Sequence, residues 1–303
     1  LKIRYSIRDI EKLTGIKAHT LRIWEQRYNF VSPHRTDTNI RYYDDEQLKF
    51  LLNVGVLIKN GRKVSKVAQM NPETVNKELV KLSNDTGDKG HFFEIQTDAL
   101  IVAMVDLDED RFEKIISVCT LKYGFEQTMI NLITPFLTKV GVLWSVGEVN
   151  IAQEHFISNL IRRKIIVAID AFSGKGNRPE KFLLFLPEGE YHELGLLFAK
   201  YLIKSKGFQI VYLGQSLPYD DLLKLSERFN PDYLLTYFTA GMSRISVADY
   251  IMKLDKEVIC KEKIIICGPK AKEAAAKKLP NRVSFVGTVA ELVELLENVA
   301  KNV

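Results

Sequence analysis

The loop PEGEYHELG (187–195) places His192 two residues after Glu190 and three before Gly195, directly behind the apolar run FLLFLP. A neutral imidazole where a strand gives way to a helix is a ready metal ligand, and its second nitrogen needs an acceptor to fix the tautomer. Glu190 stands where that acceptor would be, and Gly195 allows a cofactor or a neighbouring backbone to approach closely. The competing reading of His192 is a solvated or capping side chain. A second concentration of donors lies near the amino terminus: Lys17, His19, Thr20 and Arg22, then His34, Arg35, Thr36, Asn39, Arg41 and Tyr42. Side chains of these types reach base edges and phosphates. Any one of them alone reads as surface charge, and it is their grouping that favours a nucleic-acid partner.

The elements that carry these residues follow from periodicity. Ser6 and Asp9 form a capping pair for a helix burying Ile7, Ile10 and Leu13, and Gly15 breaks it. A second helix over Ala18 to Tyr28 has Leu21, Trp24 and Tyr28 at three- and four-residue spacing. This pair fits a helix-turn-helix, with Lys17 to Arg22 at the start of the recognition helix. FVSPHRTDTNIRYY is too rich in turn and β-branched residues for a helix and reads as a hairpin or wing. Asp44 or Asp45 caps a longer helix with Leu48, Leu51, Leu52 and Val56 on one face, ending near Gly61, and Ser65 begins one more.

The hydrophilic stretch KLSNDTGDKG (81–90) reads as a joint. From Phe92 to Phe172 the pattern is that of about four helices, interrupted by turn signals at YG, TPF and SVGEVN, and SGKGNRPE (173–180) ends it. The last third alternates apolar runs with helical stretches: 182–187, 208–214, 233–238, 263–268 and 283–287. Five such βα units make a doubly wound parallel sheet whose ligand crevice lies at the carboxyl ends of its strands. The expected fold is therefore multidomain: an all-α winged helix-turn-helix (1–75), a linker (76–90), a four-helix bundle (91–175) and a five-stranded α/β domain (176–303).

Composition narrows the function classes. With 46% hydrophobic and 27% charged residues in 303, the chain has material for more than one core. No apolar run is long enough to span a membrane, and the charged start LKIRYSIRDI does not suit export. Cys119, Cys260 and Cys267 form no CxxC pair, which speaks against a disulfide scaffold or a cysteine-rich zinc site and for a reducing cytoplasm. The net charge is +5, yet residues 1–80 hold 15 basic against 9 acidic residues, leaving −1 for the remainder. A basic first quarter on a neutral body suits a module that meets a polyanion.

LRIWEQRYNFVSPHRTDTNIRYYDDEQL (21–48) resembles the winged helix-turn-helix of the MerR family, in the branch with Trp-Glu-x-Arg-Tyr in its second helix; the match covers about residues 4–72. The resemblance implies a homodimer on pseudopalindromic double-stranded operator DNA. It assigns Lys17, His19, Thr20 and Arg22 to the major groove and Arg35, Asn39, Arg41 and Tyr42 to phosphates. Trp24 and Tyr28 are then core residues, and Glu25 and Arg27 structural polar groups.

Glu-x-His-x-x-Gly resembles the Asp-x-His-x-x-Gly signature of cobalamin-binding domains, with Glu190 in place of Asp. That resemblance implies that His192 replaces the cofactor's dimethylbenzimidazole as lower axial ligand to cobalt. Thr236-Tyr237-Phe238 stands in for Ser-x-Leu, which lines the nucleotide tail; Gly268-Pro269 stands in for Gly-Gly; Leu213-Gly214-Gln215 ends the second strand, another approach to the tail. Trp144, followed after nine residues by Glu154-His155, is similar to the Trp-x9-Glu-His motif in the helical cap of light-sensing cobalamin regulators of the CarH/LitR type. In that family the Trp covers the upper corrin face beside the 5′-deoxyadenosyl group, and the Glu and His approach the same ligand. Ser145 stands where light-sensing members can carry a His.

Together the resemblances imply a cytoplasmic, adenosylcobalamin-dependent, light-responsive repressor that grips its operator as a dimer or tetramer and releases it after photolysis. Two other readings stay open. The carboxyl-terminal domains could be a cofactor-free dimerisation or protein-partner module, or the chain could be a component of a cobalamin-dependent methyltransferase or mutase. Against the enzyme, no P-loop, Ser/His/Asp constellation or facing pair of carboxylates stands out.

Overall fold

A computed structural model of the chain describes residues 4–28, 31–85, 89–145, 150–172, 176–239, 245–276 and 279–301. The chain forms two compact units, residues 1–160 and 161–303.

The first unit opens with β1 (Tyr5–Ser6) and α1 (Ile7–Thr14). Ser6 and Asp9 make the reciprocal capping box, and Gly15 ends the helix in the left-handed region at φ 71°. In α2 (Ala18–Tyr28), Leu21 and Trp24 are buried. Next come β2 (His34–Arg35) and β3 (Arg41–Tyr43), which pair antiparallel as the wing; β1 joins the far side of β3, so the module carries a three-stranded sheet in the order β1-β3-β2. Asp44, with Gln47, caps α3 (Asp45–Lys59), whose Leu48, Leu51 and Leu52 lie in the core. A short α4 (Val64–Val67) follows.

The stretch read as a joint is mostly helix: α5 runs Pro72–Asp85. Its signals are local. Asn71 Oδ1 accepts from Thr74 N at 2.8 Å, proline occupies the first helical position, and Val75 is buried. Hydrophilic composition hid an amphipathic helix. Residues 86–88 lie outside the described part.

The bundle consists of α6 (Lys89–Asp106), α7 (Glu109–Tyr123), then α8 (Phe125–Thr128), a π-helical turn (Met129–Ile133) and α9 (Thr134–Ser145) in unbroken succession, and α10 (Ile151–Asp170), whose carboxyl-terminal half belongs to the second unit. The Tyr123-Gly124 signal does end α7. Thr134-Pro135 does not break its helix. The wider π turn accommodates a proline that would clash in a regular α-helix, and Thr134 Oγ1 donates to Met129 O at 2.9 Å. Phe112 and Phe136 meet edge to face at 5.6 Å in the core. Of SVGEVN, residues 146–149 lie outside the described part, as do 173–175 of the break after the bundle.

In the second unit β4 (Lys181–Pro187), α11 (Leu194–Ser205), β5 (Gln209–Leu217), α12 (Tyr219–Phe229), β6 (Tyr233–Tyr237), α13 (Val247–Glu257), β7 (Lys263–Cys267), α14 (Pro269–Ala275), β8 (Val283–Val286) and α15 (Val289–Lys301) alternate. The five strands are parallel, in the order β5-β4-β6-β7-β8, so the connection direction reverses beside β4. Residues 182–187 are buried throughout, as a strand covered on both faces requires. The chain reversal puts the loop after β4 at the switch point where doubly wound sheets bind ligands.

Candidate functional site

That loop is held in place by its neighbours. Gly189 takes φ 86°, Glu190 N donates to Pro187 O at 2.9 Å, Ser216 N donates to Glu190 O at 3.1 Å, and Gln215 Nε2 donates to Tyr191 O at 2.9 Å. Glu190 is 5% exposed, and both carboxylate oxygens are engaged. Oε1 accepts from His192 N at 3.0 Å and lies 2.6 Å from His192 Nδ1, while Oε2 accepts from Thr239 N at 2.8 Å. A carboxylate can only accept, so Nδ1 carries the proton and the ring's lone pair resides on Nε2. The imidazole itself is 57% exposed. The structure thus pairs the acceptor and the imidazole named from the sequence.

The space above Gly195 is taken by a ring rather than by backbone. A Cβ there would lie 2.7 Å from Tyr237, a half-buried residue whose phenol desolvation pushes well up. Glu193, which the sequence did not single out, is 8% exposed and pairs with Arg162 Nε and with Tyr212 Oη, the latter at 3.0 Å. Burial first, and Glu193 second, push the Tyr212 phenol up. Its adjacency to His192 was the only signal in the sequence.

The remaining strand-end residues sit on the face covered by α12, α13 and α14. Thr236 is completely buried, and its Oγ1 has no hydrogen-bond partner among the described residues. Phe238, at 1% exposure, meets Tyr250 edge to face at 5.9 Å. Leu213 packs on the same core, and Gly214 takes φ 75° where β5 slips register against β4. Gly268, at φ 96°, lets its strand end close on Phe238: a Cβ would meet the Phe238 carbonyl oxygen at 2.6 Å.

In the first unit Trp144 is 59% exposed beside the buried Leu143, so the alternative of a bundle-core indole does not hold. His155 is exposed and Glu154 half-buried on α10, with Asn150 Oδ1 capping that helix through Gln153 N at 2.8 Å. The side chain of Ser145 lies outside the described part.

The donors near the amino terminus gather on α2 and the wing. Lys17, His19 and Arg22 are exposed and Thr20 is half-buried. Glu11 accepts from Lys17 Nζ at 3.0 Å and from Ala18 N at 2.9 Å, bonds that hold its carboxyl below the usual range and cap α2 from the preceding helix. Glu25 is the organiser of the wing. It takes Arg41 Nε at 2.9 Å and Arg35 at 3.4 Å, and Arg35 donates to Asn39, which sits at φ 65°. Tyr42 lies between Arg4, 4.7 Å over its ring, and His34, stacked at 5.3 Å. Trp24 is core, as its spacing indicated.

Residues 5–73 match the MerR HTH family of regulatory proteins, and residues 96–168 match a B12 binding domain. The chain is 26% identical over 253 residues to the HTH-type transcriptional repressor CarH of Myxococcus xanthus, covering 82% of this chain and 84% of the relative. It is 27% identical to the repressor CarA of the same organism, covering 77% and 75%. Among solved structures, the monomethylamine corrinoid protein of Methanosarcina barkeri superposes with a TM-score of 0.54 at 16% identity, covering 67% of this chain and 96% of that one, a likeness of fold. Among the described residues no helix is long and apolar enough to cross a membrane. Residues 5–73 are thus similar to a MerR-type helix-turn-helix module, and residues 96–168 to a B12-binding module.

Proposed function

We propose that this chain is a cobalamin-dependent, DNA-binding transcriptional regulator, not an enzyme, and that it works as a light-responsive repressor in the cytoplasm. The observation that carries the reading is the Glu190–His192 pair at the switch point of the sheet. A single imidazole, held in the tautomer that presents Nε2, suits a metal whose remaining ligands would come from a macrocycle bound with it. The unpartnered Oγ1 of Thr236, buried on the neighbouring strand, also fits a polar ligand at this end.

His192 would bind cobalt from below, with Glu190 raising its basicity and fixing its plane. Leu213, Gly214, Thr236, Phe238 and Gly268 would flank the nucleotide tail. Trp144 would offer its exposed indole to the upper side of the corrinoid, with Glu154 and His155 as polar contacts. Bound adenosylcobalamin would supply a light-sensitive cobalt–carbon bond. Trp144 and Glu154 would hold the adenosyl group, and its loss would shift the balance between a DNA-gripping dimer or tetramer and a weaker assembly. Lys17, His19, Thr20 and Arg22 would read the operator, with Arg35, Asn39, Arg41 and Tyr42 on phosphates.

The test is to load the protein with adenosylcobalamin in darkness and record its visible spectrum, mass in solution and operator binding, then repeat after green light. The reading expects a histidine-ligated spectrum, lost in His192→Ala, with assembly and operator binding that fall on illumination. Unchanged assembly and binding would end the light switch. Colourless protein that still binds operator would leave a cofactor-free module.

A further inference from the structure

His192 and the residue after it are moored on opposite flanks of their strand. In the sheet order β5-β4-β6, the loop after β4 lies between two neighbouring strand ends. On one flank Glu190 pairs with the His192 ring and takes the amide of Thr239, just past β6. On the other flank the Glu193 carboxylate takes Tyr212 Oη of β5 at 3.0 Å and Arg162 Nε of α10. Glu190 therefore sets the plane and tautomer of the imidazole. Glu193 holds the backbone from which that imidazole springs, and its carbonyl starts α11 by accepting from Leu197 N at 2.8 Å. Lys200, about two turns along α11, lies 4.7 Å over the Tyr212 ring and steadies that partner.

The Glu193 carboxylate is buried, whereas half of the Arg162 side chain is exposed. A carboxylate withdrawn from water is costly unless paired, and a buried ion pair often adds no more stability than apolar side chains of the same volume. What such a pair adds is direction. It ties one point of α10 to the residue that follows His192. About two turns before Arg162, the same face of α10 carries His155, preceded by Glu154.

We infer that Glu193 is a positioning residue for His192, and that through Arg162 it makes α10 part of the mount of the lower axial ligand. The inference rests on the corrinoid reading. The helix that carries Glu154 and His155 then also bears on the imidazole, by a route that does not pass through the ligand.

Glu193→Gln, Arg162→Met and Tyr212→Phe each remove one member of the mooring and leave the Glu190–His192 pair in place. In the cofactor-free protein, amide hydrogen exchange over 190–197 is expected to quicken in all three, with β7 and β8 unchanged, and thermal melts report whether each variant folds. The full chain is then titrated with adenosylcobalamin in darkness and followed by visible spectrum. Glu193→Gln and Arg162→Met are expected to bind about tenfold more weakly, with only part of the bound corrinoid histidine-ligated. Tyr212→Phe should show the same spectral change to a smaller extent, and it decides the matter should the two ion-pair variants fail to fold. The double variant Glu193→Gln/Arg162→Met is expected to lose no more than either single one, because the pair acts as a unit. Bound corrinoid that stays fully histidine-ligated in the folded variants, even at lower affinity, overturns the inference and leaves the corrinoid reading standing. Losses that add in the double variant do the same. Wild-type protein that binds no corrinoid ends both.

Discussion

Glu190 joins two loops through one carboxylate: Oε1 lies 2.6 Å from Nδ1 of His192, and Oε2 accepts from Thr239 N at 2.8 Å. The imidazole is therefore oriented from the end of a different strand. Glu190→Gln keeps the shape but removes the charge, and its amide must give up one of the two acceptor roles. The expected outcome is about 10–100-fold weaker corrinoid binding with a partly lost histidine-ligated spectrum, against complete loss of that spectrum in His192→Ala. Titration followed by visible absorption checks both.

Gly195 gives a stability prediction. A methyl group at this position meets the ring of the half-buried Tyr237 at 2.7 Å. Gly195→Ala should destabilise the second unit by about 1–3 kcal/mol, through a displaced ring rather than through backbone strain. Denaturant melts of the single variant and of its combination with Tyr237→Leu check this, since the smaller side chain should return part of the loss.

Trp144 contributes little to the bundle. At 59% exposure, its replacement by Ala should shift the stability of the cofactor-free protein by no more than about 0.5 kcal/mol while weakening adenosylcobalamin binding. Thermal melts with and without the ligand separate the two effects.

Asp98 sets a pH dependence. Desolvation raises its carboxyl above the ordinary 3.8, and Lys139 offsets only part of the shift. A raised carboxyl favours the fold in its protonated form. That contribution is complete below the unfolded value and is lost as pH rises through the folded one. At neutral pH the buried anion is thus a net cost, and Asp98→Asn should raise the thermal midpoint. The gain should shrink as the pH falls through the folded value, because wild-type Asp98 is then protonated as well.

On the proposed reading, the amino-terminal module separates readout from grip. Arg41→Ala should lower the slope of log affinity against log salt by about 1, whatever the sequence bound. Arg22→Ala should cost about 1–3 kcal/mol on the operator and relax its sequence preference. Binding isotherms on operator and unrelated duplexes at several salt concentrations distinguish these outcomes.

What the sequence made legible was what local rules govern. The capping box of Ser6 and Asp9 and the continuous apolar runs of β4 to β8 carry their structure within a few residues, and the structure follows them. Glu190 and His192 are two residues apart, so their pairing could be read as well. The helix over Pro72–Asp85 was hidden because its polar composition outweighed its capping signals. The turn expected at Thr134-Pro135 failed because a π turn absorbs the proline. Glu193 stayed invisible because its role depends on Arg162 and Tyr212, partners brought close only by tertiary packing.

That π turn has an effect well beyond the proline. Each residue of a helix advances about 100° around the axis, and a π turn inserts one extra step. Every side chain that follows is rotated by that increment, and with this phase Leu143 points inward and Trp144 outward. Deleting a single residue from Met129–Ile133 would swing the indole toward the bundle interior without altering any amino acid near it. The angular setting of the Trp144 indole is written three turns upstream of it.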